Sequence, residues 1–368
     1  MLSISTLLLF AISSTIILIL YYLYFFIRLS KFNDNDKKFT EPISVIICAK
    51  NEAENLKLYL PNILNQTYSK FEVIVVNDQS SDNTNNLLKD LQKKYNHLII
   101  ANIDSHIHKM PGKKFALTIG IKTAKYDKLI LTDADCNVVS KFWIQSIANN
   151  FTNYNIILGY GGYEKEKGIL NKFIRYDTFN VAQQYLSYCL AGYTYMGVGR
   201  NLAYTKDVFF NNKGFASHMN IPSGDDDLFI QEVANNNNNI SIEISEDSHT
   251  ISRSKKTWSE WMYQKRRHLT TSKKYINKFK IILSIYPYSQ LIFWLSIILL
   301  ILLYDSLFGV LLLIIRLLFT YIINYKTMKK LNVFDLYWIH PIYEIGLILL
   351  QGFFVLLNVF NKPKNWSR

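Results

Sequence analysis

Asp133 and Asp135 stand one residue apart, directly after the apolar run Leu129 to Thr132. Two carboxylates at i and i+2 just past a strand can face one divalent cation together. Hard cations such as Mg2+ and Mn2+ take oxygen ligands and often share them with a diphosphate. Most Asp-x-Asp tripeptides are turns or solvated loops; the place of this one, at the end of an apolar run, lifts it above that background. A second group lies in VIVVNDQSSDNT, Val73 to Thr84. There an apolar run ends in Asn77 and Asp78, and a Ser/Asn/Asp loop then opens a helix that Ser81 or Asp82 is suited to cap. Asp78 precedes the cap and is free to accept hydrogen bonds from a nucleobase. Lys50, Asn51 and Glu52 follow a third apolar run in the same way.

These groups can act together only if the chain brings them together. From Ile43 onward, short β-branched runs alternate with helical segments. Strands are expected at Ile43 to Ala49, Phe71 to Val76, His97 to Ala101 and Lys128 to Thr132. Helices are expected at Glu52 to Leu64, Thr84 to Tyr95 and Lys113 to Lys125. This rhythm predicts an α/β domain with a mostly parallel sheet and helices on both faces. In such a sheet the strand ends share one edge, and ligands bind outside it. Three polar clusters far apart in sequence then converge on one cleft.

The segments SVIICAKNEAENL, VIVVNDQSSDNT, PGKKFALTIGIKTA and LILTDADCN, in this order and spacing, resemble the family 2 glycosyltransferases, which have a GT-A fold. GVGRNLAYTK from Gly197, SGDDDLFIQEV from Ser223 and WMYQKRRHL from Trp261 extend the resemblance, which covers roughly Ile43 to Ser272. It implies a Rossmann-like GT-A catalytic domain and an inverting, metal-dependent transfer of a hexosyl group from a nucleotide-diphosphate-sugar. Glu52 and Asp78 would hold the nucleoside, with Asp78 on the base. Lys114, with Lys113 as its rival, would approach the nucleotide. Asp133 and Asp135 would bind Mn2+ or Mg2+. Asp225 would be the general base, with Asp226 and Asp227 as rivals. Gln264, Arg266 and Arg267 would contact the diphosphate or the acceptor. The chain departs from the family pattern in three places. Gly224-Asp225 stands where Glu-Asp is common, Asn77 where a second Asp is frequent, and His268 where a stacking Trp usually follows the Arg. The last departure weakens the inference of a processive enzyme. Uracil is the base the resemblance implies, with guanine still open.

The ends of the chain are a different material. Leu2 to Ile27 is apolar and uncharged, long enough to cross a bilayer. It lacks the charged start and small-residue cleavage site of a signal peptide. Arg28, Lys31, Lys37 and Lys38 follow at once, which by the positive-inside tendency keeps the central domain in the cytoplasm. Tyr288 to Tyr304 and Ser306 to Ile323 read as a hairpin of two spans, with Arg316 facing a protein neighbour or snorkelling. Ile342 to Phe360 is a third candidate, either a full span or a re-entrant segment, since a crossing places Lys362, Lys364 and Arg368 outside. The expected organisation is an anchor over residues 1–30, a catalytic domain over 40–275 and a C-terminal membrane region over 281–361. A multi-pass protein of a cell's inner membrane follows. Trp258, Trp261 and Met262 fall on one helical face with Lys265, Arg266 and Lys273 nearby, as in an interfacial helix or one packed onto its own domain.

The formal charge of +13 suits an anionic partner. No nucleic-acid signature accompanies it, so a membrane surface and phosphates are the expected partners, not nucleic acid. The run Asn235 to Asn239 belongs to the same Asn- and Lys-rich bias. Cys48, Cys136 and Cys189 fit no zinc, redox or disulfide pattern. His106 and His108 have ligand spacing but lie in a polar loop. His249 and His340 read as packing or hydrogen-bonding residues, and Tyr176, Phe179, Tyr185 and Tyr188 as the packed face of a long helix. The expected function is transfer of a sugar to a lipid-linked or cell-surface glycan at the cytoplasmic membrane face. A processive polysaccharide synthase is the alternative enzyme, and a non-catalytic nucleotide-sugar-binding scaffold the alternative of another class.

Overall fold

A computed structural model of the chain describes residues 3–33, 37–103, 113–221, 223–234, 238–304 and 306–360. His106, His108, Lys362, Lys364, Arg368 and most of the Asn235 to Asn239 run lie outside these residues. The chain divides into two compact units. Of the described residues, one comprises those within 33–166 and 193–255, and the other those within 3–32, 167–192 and 256–360.

Among the described residues, the first unit is built on seven strands in one sheet. In chain order they are β1 (Ile43–Ala49), β2 (Phe71–Asp78), β3 (Leu98–Ile103), β4 (Lys128–Asp133), β6 (Ile156–Gly159), β8 (Leu202–Thr205) and β9 (Ile240–Glu243). Three more form a small second sheet: β5 (Cys136–Val138), β7 (Gly161–Tyr163) and β10 (Thr250–Ser252). The large sheet runs β3-β2-β1-β4-β8-β6-β9. Its first four strands are parallel, which agrees with the reading of the sequence. β8 is antiparallel to both β4 and β6, a reversal the sequence pattern did not disclose.

β1 and β2 are buried on both faces, as a continuous apolar run requires of central parallel strands. Val45, Ile47, Val73, Val75 and Ile130 share one core with Leu56, Leu60 and Ile63 of the helix Ala53–Leu64. On the opposite face the helix Lys114–Thr123 lies close because it carries Gly120. A Cβ there would stand 2.7 Å from Ile46 Cγ2. The helices expected after β1, β2 and β3 end within two residues of their expected limits.

Among the described residues, the second unit holds four helices long and apolar enough to cross a membrane: Ile4–Lys31, Asn277–Tyr304, Leu307–Lys330 and His340–Asn358. Two further helices, Ile169–Leu190 and Trp258–Thr271, belong to the same unit. Tyr176, Phe179, Tyr185 and Tyr188 are buried, as expected. The helix Trp258–Thr271 begins with a complete capping box between Thr257 and Glu260. Its Trp261 is buried edge-on against Phe173 and Phe354, while Trp258 is 40% exposed. The apolar stripe read from sequence therefore packs within this unit.

Polar pairs tie these helices together. Arg175 makes two bonds of 2.7 Å to the Asp335 carboxylate. Lys265 pairs with Asp177 at 2.7 Å, and Gln183 donates to Asn324 at 2.6 Å. Arg316, which the sequence left to snorkel or to find a neighbour, is fully buried and donates to Glu344. Trp294 Nε1 donates to the same carboxylate at 3.1 Å. Removing one member of such a pair strands a buried charge, at a cost of about 3–5 kcal/mol, whereas removing both does not. Arg316→Leu and Glu344→Leu should each lower the thermal midpoint in detergent sharply, and the double variant should recover most of the loss. Fluorescence-detected unfolding checks this; equal losses in single and double variants would remove the pair as a structural tie.

His249 marks a second point of stability, in the first unit. It is buried, with Nε2 3.0 Å from the Ile244 carbonyl and its ring edge-on to Tyr160. Burial lowers its pKa to about 4, against a smaller opposing effect of the Ile244 bond. Between pH 6.5 and 4 the unfolded chain holds the proton and the folded chain does not, so stability falls as pH drops through that window. The full span amounts to about 3 kcal/mol. His249→Phe should be less stable than the parent near neutrality and should close that gap as pH approaches 4. A pH series of unfolding midpoints reads the difference.

Candidate active site

The parallel register sets the site. Ala49 of β1 lies beside Asn77 of β2, Cys48 beside Asp133 of β4, and Asp78 beside Ile103 of β3. Glu52, Asp78 and Asp133 therefore arrive at one edge, the carboxyl ends of four parallel strands. The loops after β1 and β2 are then laced to each other. Asn51 donates its N–H to Ser80 Oγ at 2.9 Å and accepts from the Ser81 N–H at 2.8 Å. Asp82 accepts from the N–H groups of Ala53 and Thr84, which performs the expected cap from one position before the formal one. Asn51 and Gln79 sit in the left-handed region, at φ 57° and 54°. Such strain is held by surrounding bonds and gathers at functional edges.

Glu52 is buried at the start of its helix, accepting from Asn55 Nδ2 at 2.6 Å. Asp78 is half-buried at the end of β2. Asn77, in place of a second acid, bonds the Asn102 side chain at 3.0 Å.

The antiparallel run of β8 brings a further segment to this edge. Its start lies beside the end of β4, and Thr132 Oγ1 donates to the Arg200 carbonyl at 2.8 Å. Gly199 N–H donates to Asp226 Oδ2 at 2.9 Å. The Arg200 guanidinium reaches the Gly161 and Gly162 carbonyls at 2.6 and 2.9 Å and lies 4.5 Å from the centre of the Tyr163 ring. Within the segment GVGRNLAYTK, the sequence points to no role for Arg200. Its charge, close to Asp135 and Asp133, lowers the cost of placing carboxylates there. An arginine at the start of a strand carries no such signal in the sequence.

The acidic residues gather around one lysine. Lys113 Nζ bonds Asp133 Oδ1 and lies 3.4 Å from Asp225 Oδ2. Burial opposes its charge, but Asp133 and Asp225 outweigh that and hold its pKa well above the ordinary value. Lys114, expected at the nucleotide, is turned elsewhere. It is buried and donates to the carbonyls of His218 and Ile221 at 2.7 and 3.1 Å. Burial lowers it to about 8, although Asp225, Asp227 and Asp226 act in the other direction.

The three consecutive aspartates differ. Asp226 uses both oxygens on backbone N–H groups, those of Gly199 and Asp227, and caps the helix Asp227–Val233. Burial and its two acidic neighbours raise it to about 7. Asp227 is buried and accepts from the Leu228 N–H at 2.8 Å. Asp225 faces Lys113.

Asp133 and Asp135, with Cys136, bring one ligand atom each within 4.8 Å of one another. The donor chemistry fits a hard cation through the two carboxylates. Asp135 opens to solvent, and crowding by protein, then the Asp133 charge, raise its carboxyl above the usual range. Cys136 is buried 3.1 Å from Ser252 Oγ, and burial with the Asp135 and Asp133 charges pushes its thiol up to about 12. It stays a neutral thiol, a poor ligand for Mg2+ or Mn2+.

Residues 44–210 match the family model described as Glycosyl transferase family 2. The chain carries a family 2 glycosyltransferase domain. A poly-beta-1,6-N-acetyl-D-glucosamine synthase of Staphylococcus epidermidis is 33% identical over 117 residues, covering 30% of this chain and 27% of the relative. A dolichyl N-acetyl-alpha-D-glucosaminyl phosphate 3-beta-D-2,3-diacetamido-2,3-dideoxy-beta-D-glucuronosyltransferase of Methanococcus voltae is 30% identical over 179 residues, covering 46% of this chain and 50% of the relative. The chain thus spans between 27% and 50% of the length of these two relatives. Among solved structures, a mannosyltransferase from Pyrobaculum calidifontis in complex with GDP-Man and Mn2+ aligns with a TM-score of 0.58 at 18% identity, covering 92% of this chain and 99% of that one. The glycosyltransferase domain has the GT-A fold, flanked by the apolar helices.

Gln264, Arg266 and Arg267 lie on the helix Trp258–Thr271, in the unit of the apolar helices. Arg266 Nε donates to Asn358 Oδ1 at 3.0 Å, and Asn358 returns a bond to the Arg266 carbonyl at 3.1 Å. Arg266 therefore also ties two helices of that unit, a role the sequence did not suggest.

Gly224 sets the approach of Asp225. It has φ +96°, and a Cβ would stand 2.6 Å from Leu228 Cδ1. Gly224→Ala must shift the backbone that carries Asp225, and a misplacement on the order of 1 Å costs up to about 100-fold in rate. The variant should lose about 10- to 100-fold in sugar transfer while its unfolding midpoint moves by only a few degrees. Initial rates beside a melting curve separate the two, and an unaltered rate would remove the positional role of this turn.

Proposed function

We propose that the chain is a metal-dependent, inverting glycosyltransferase that moves a sugar from a nucleotide-diphosphate-sugar, a UDP-sugar first of all, to a lipid-linked or cell-surface glycan acceptor. The observation that carries it is the acidic edge, where Asp133, at the end of a parallel strand, and Asp225 meet Lys113, with Asp135 beside Asp133. The relatives' names support it: one is a polysaccharide synthase and the other a transferase to a lipid-phosphate sugar. Four apolar helices support a place in a membrane. The basic flank after the first of them supports an inner-membrane, multi-pass arrangement with the catalytic domain in the cytoplasm.

Asp133 and Asp135 would hold Mn2+ or Mg2+, which supplies Lewis acidity to the departing diphosphate. Asp225 is the general base of this reading. Asp226 spends both oxygens on the N–H groups of Gly199 and Asp227, and Asp227 accepts from the Leu228 N–H, while Asp225 faces the Lys113 ammonium. Its carboxylate takes the acceptor hydroxyl proton as that oxygen bonds to the anomeric carbon. The carbon–oxygen bond to the diphosphate breaks, and its electron pair leaves with the phosphate. A single displacement inverts the anomeric centre. Asp78 and Glu52 serve the nucleoside, Lys113 replaces Lys114 as the lysine for the diphosphate, and Gln264, Arg266 and Arg267 keep the role the resemblance implies, toward the diphosphate or the acceptor.

The test is metal-dependent release of nucleotide by the detergent-purified chain, from a panel of UDP-, GDP- and dTDP-sugars with Mn2+ or Mg2+ and then EDTA. One donor should be consumed. Asp135→Asn should lose that turnover, and Asp225→Asn should lower it about 100- to 10,000-fold with donor binding kept. Full activity in Asp135→Asn would sink the metal assignment. The synthase relative favours a second reading, processive polymerisation. Product length decides between them, one added sugar against a ladder of long chains.

A further inference from the structure

Lys113 does not sit as a plain nucleotide ligand would. Its ammonium bridges Asp133, a carboxylate of the proposed metal pair, and Asp225, the proposed base. The side chains of Lys113 and Asp225 are only 15% and 10% exposed, so water screens their attraction little. The backbone of Lys113 is fixed, its carbonyl accepting from the Leu117 N–H at 2.9 Å as the helix Lys114–Thr123 begins. The long side chain is the movable part. Gly199 lines its tip, with the Lys113 Nζ 3.2 Å from where a Cβ would lie. A side chain there would crowd the ammonium on that flank.

A dication and an ammonium cannot share the Asp133 carboxylate without strong mutual repulsion. On the reading given above, we propose that Lys113 is a displaceable counter-ion. Before loading it neutralises Asp133 and Asp225 and holds them together. When the metal claims Asp133, Lys113 gives that carboxylate up and its charge becomes available to the anionic diphosphate. Asp225 is released in the same event, so the base becomes competent only once donor and metal are in place. Donor loading and base release are then one step, which guards against deprotonating an acceptor, or water, too early.

The experiment is Mn2+ binding, read by electron paramagnetic resonance of free Mn2+, on the full chain in detergent, with and without UDP or GDP. Removing the competing charge in Lys113→Met should tighten Mn2+ binding in the absence of nucleotide by about tenfold, and Lys113→Arg should stay near the parent. The tightening of Mn2+ binding by nucleotide, present in the parent, should shrink in Lys113→Met, since both the competitor and the phosphate partner are gone. Lys113→Gln serves as a second neutral variant if the Met form melts early. Unchanged or weaker Mn2+ affinity in folded neutral variants overturns the counter-ion role and leaves the metal site standing. A parent chain that takes up no Mn2+, with or without nucleotide, overturns the metal reading itself and this inference with it.

Discussion

The parallel register of β1, β2 and β4 is the constraint on which the catalytic unit depends. Because Cys48 pairs with Asp133 and Ala49 with Asn77, the first residues after each strand emerge side by side. A slip of one residue would turn every side chain of a strand to the opposite face. The apolar faces of β1 and β2 forbid such a slip, since both are buried along their length. Hydrophobic burial in the sheet thus fixes the spacing of carboxylates at its edge. The antiparallel β8 completes the edge from the other direction, delivering Gly199 and Arg200 next to the end of β4.

An edge so crowded with acid must be balanced. Asp133, Asp135 and Asp225 to Asp227 would repel one another if left alone, and burial adds to that cost. The structure answers with Lys113 between Asp133 and Asp225, Arg200 behind Asp135, and backbone N–H groups on both oxygens of Asp226. These answers are of different kinds. The N–H groups belong to the backbone, one at a turn and one at a helix start, and are permanent. The lysine is a flexible chain ending in a point charge and can be exchanged for another cation. That difference separates an aspartate that caps a helix from one that can do chemistry.

The unit with the apolar helices uses polar groups for a different purpose. Arg175 with Asp335, Lys265 with Asp177, Arg316 with Glu344 and Gln183 with Asn324 join segments far apart in sequence. Apolar helices pack on one another with little directional preference, and lipid competes for the same faces. Buried charge pairs have one satisfactory arrangement and so select it. Glu344 and Asp335 could not be read as partners from the sequence, because nothing local links them to positions 316 and 175.

What the sequence determined by itself is local. The strands β1 to β4 and the helices between them follow from β-branched runs and amphipathic spacing, and each ends within two residues of its expected limit. The polar residues at their ends, Glu52, Asp78, Asp133 and Asp135, were legible because a parallel sheet must gather its strand ends. The apolar helices were legible by length and composition alone. Tertiary structure decided what depends on direction and on distant partners. The reversal of β8 brought Arg200 to the acids. Two adjacent lysines were sent to different tasks, Lys113 to the carboxylates and Lys114 to the carbonyls of His218 and Ile221. Of three identical aspartates in a row, only the fold assigns two to a helix start and leaves the third facing the charge. Composition cannot separate such neighbours, because their difference lies in which backbone groups reach them.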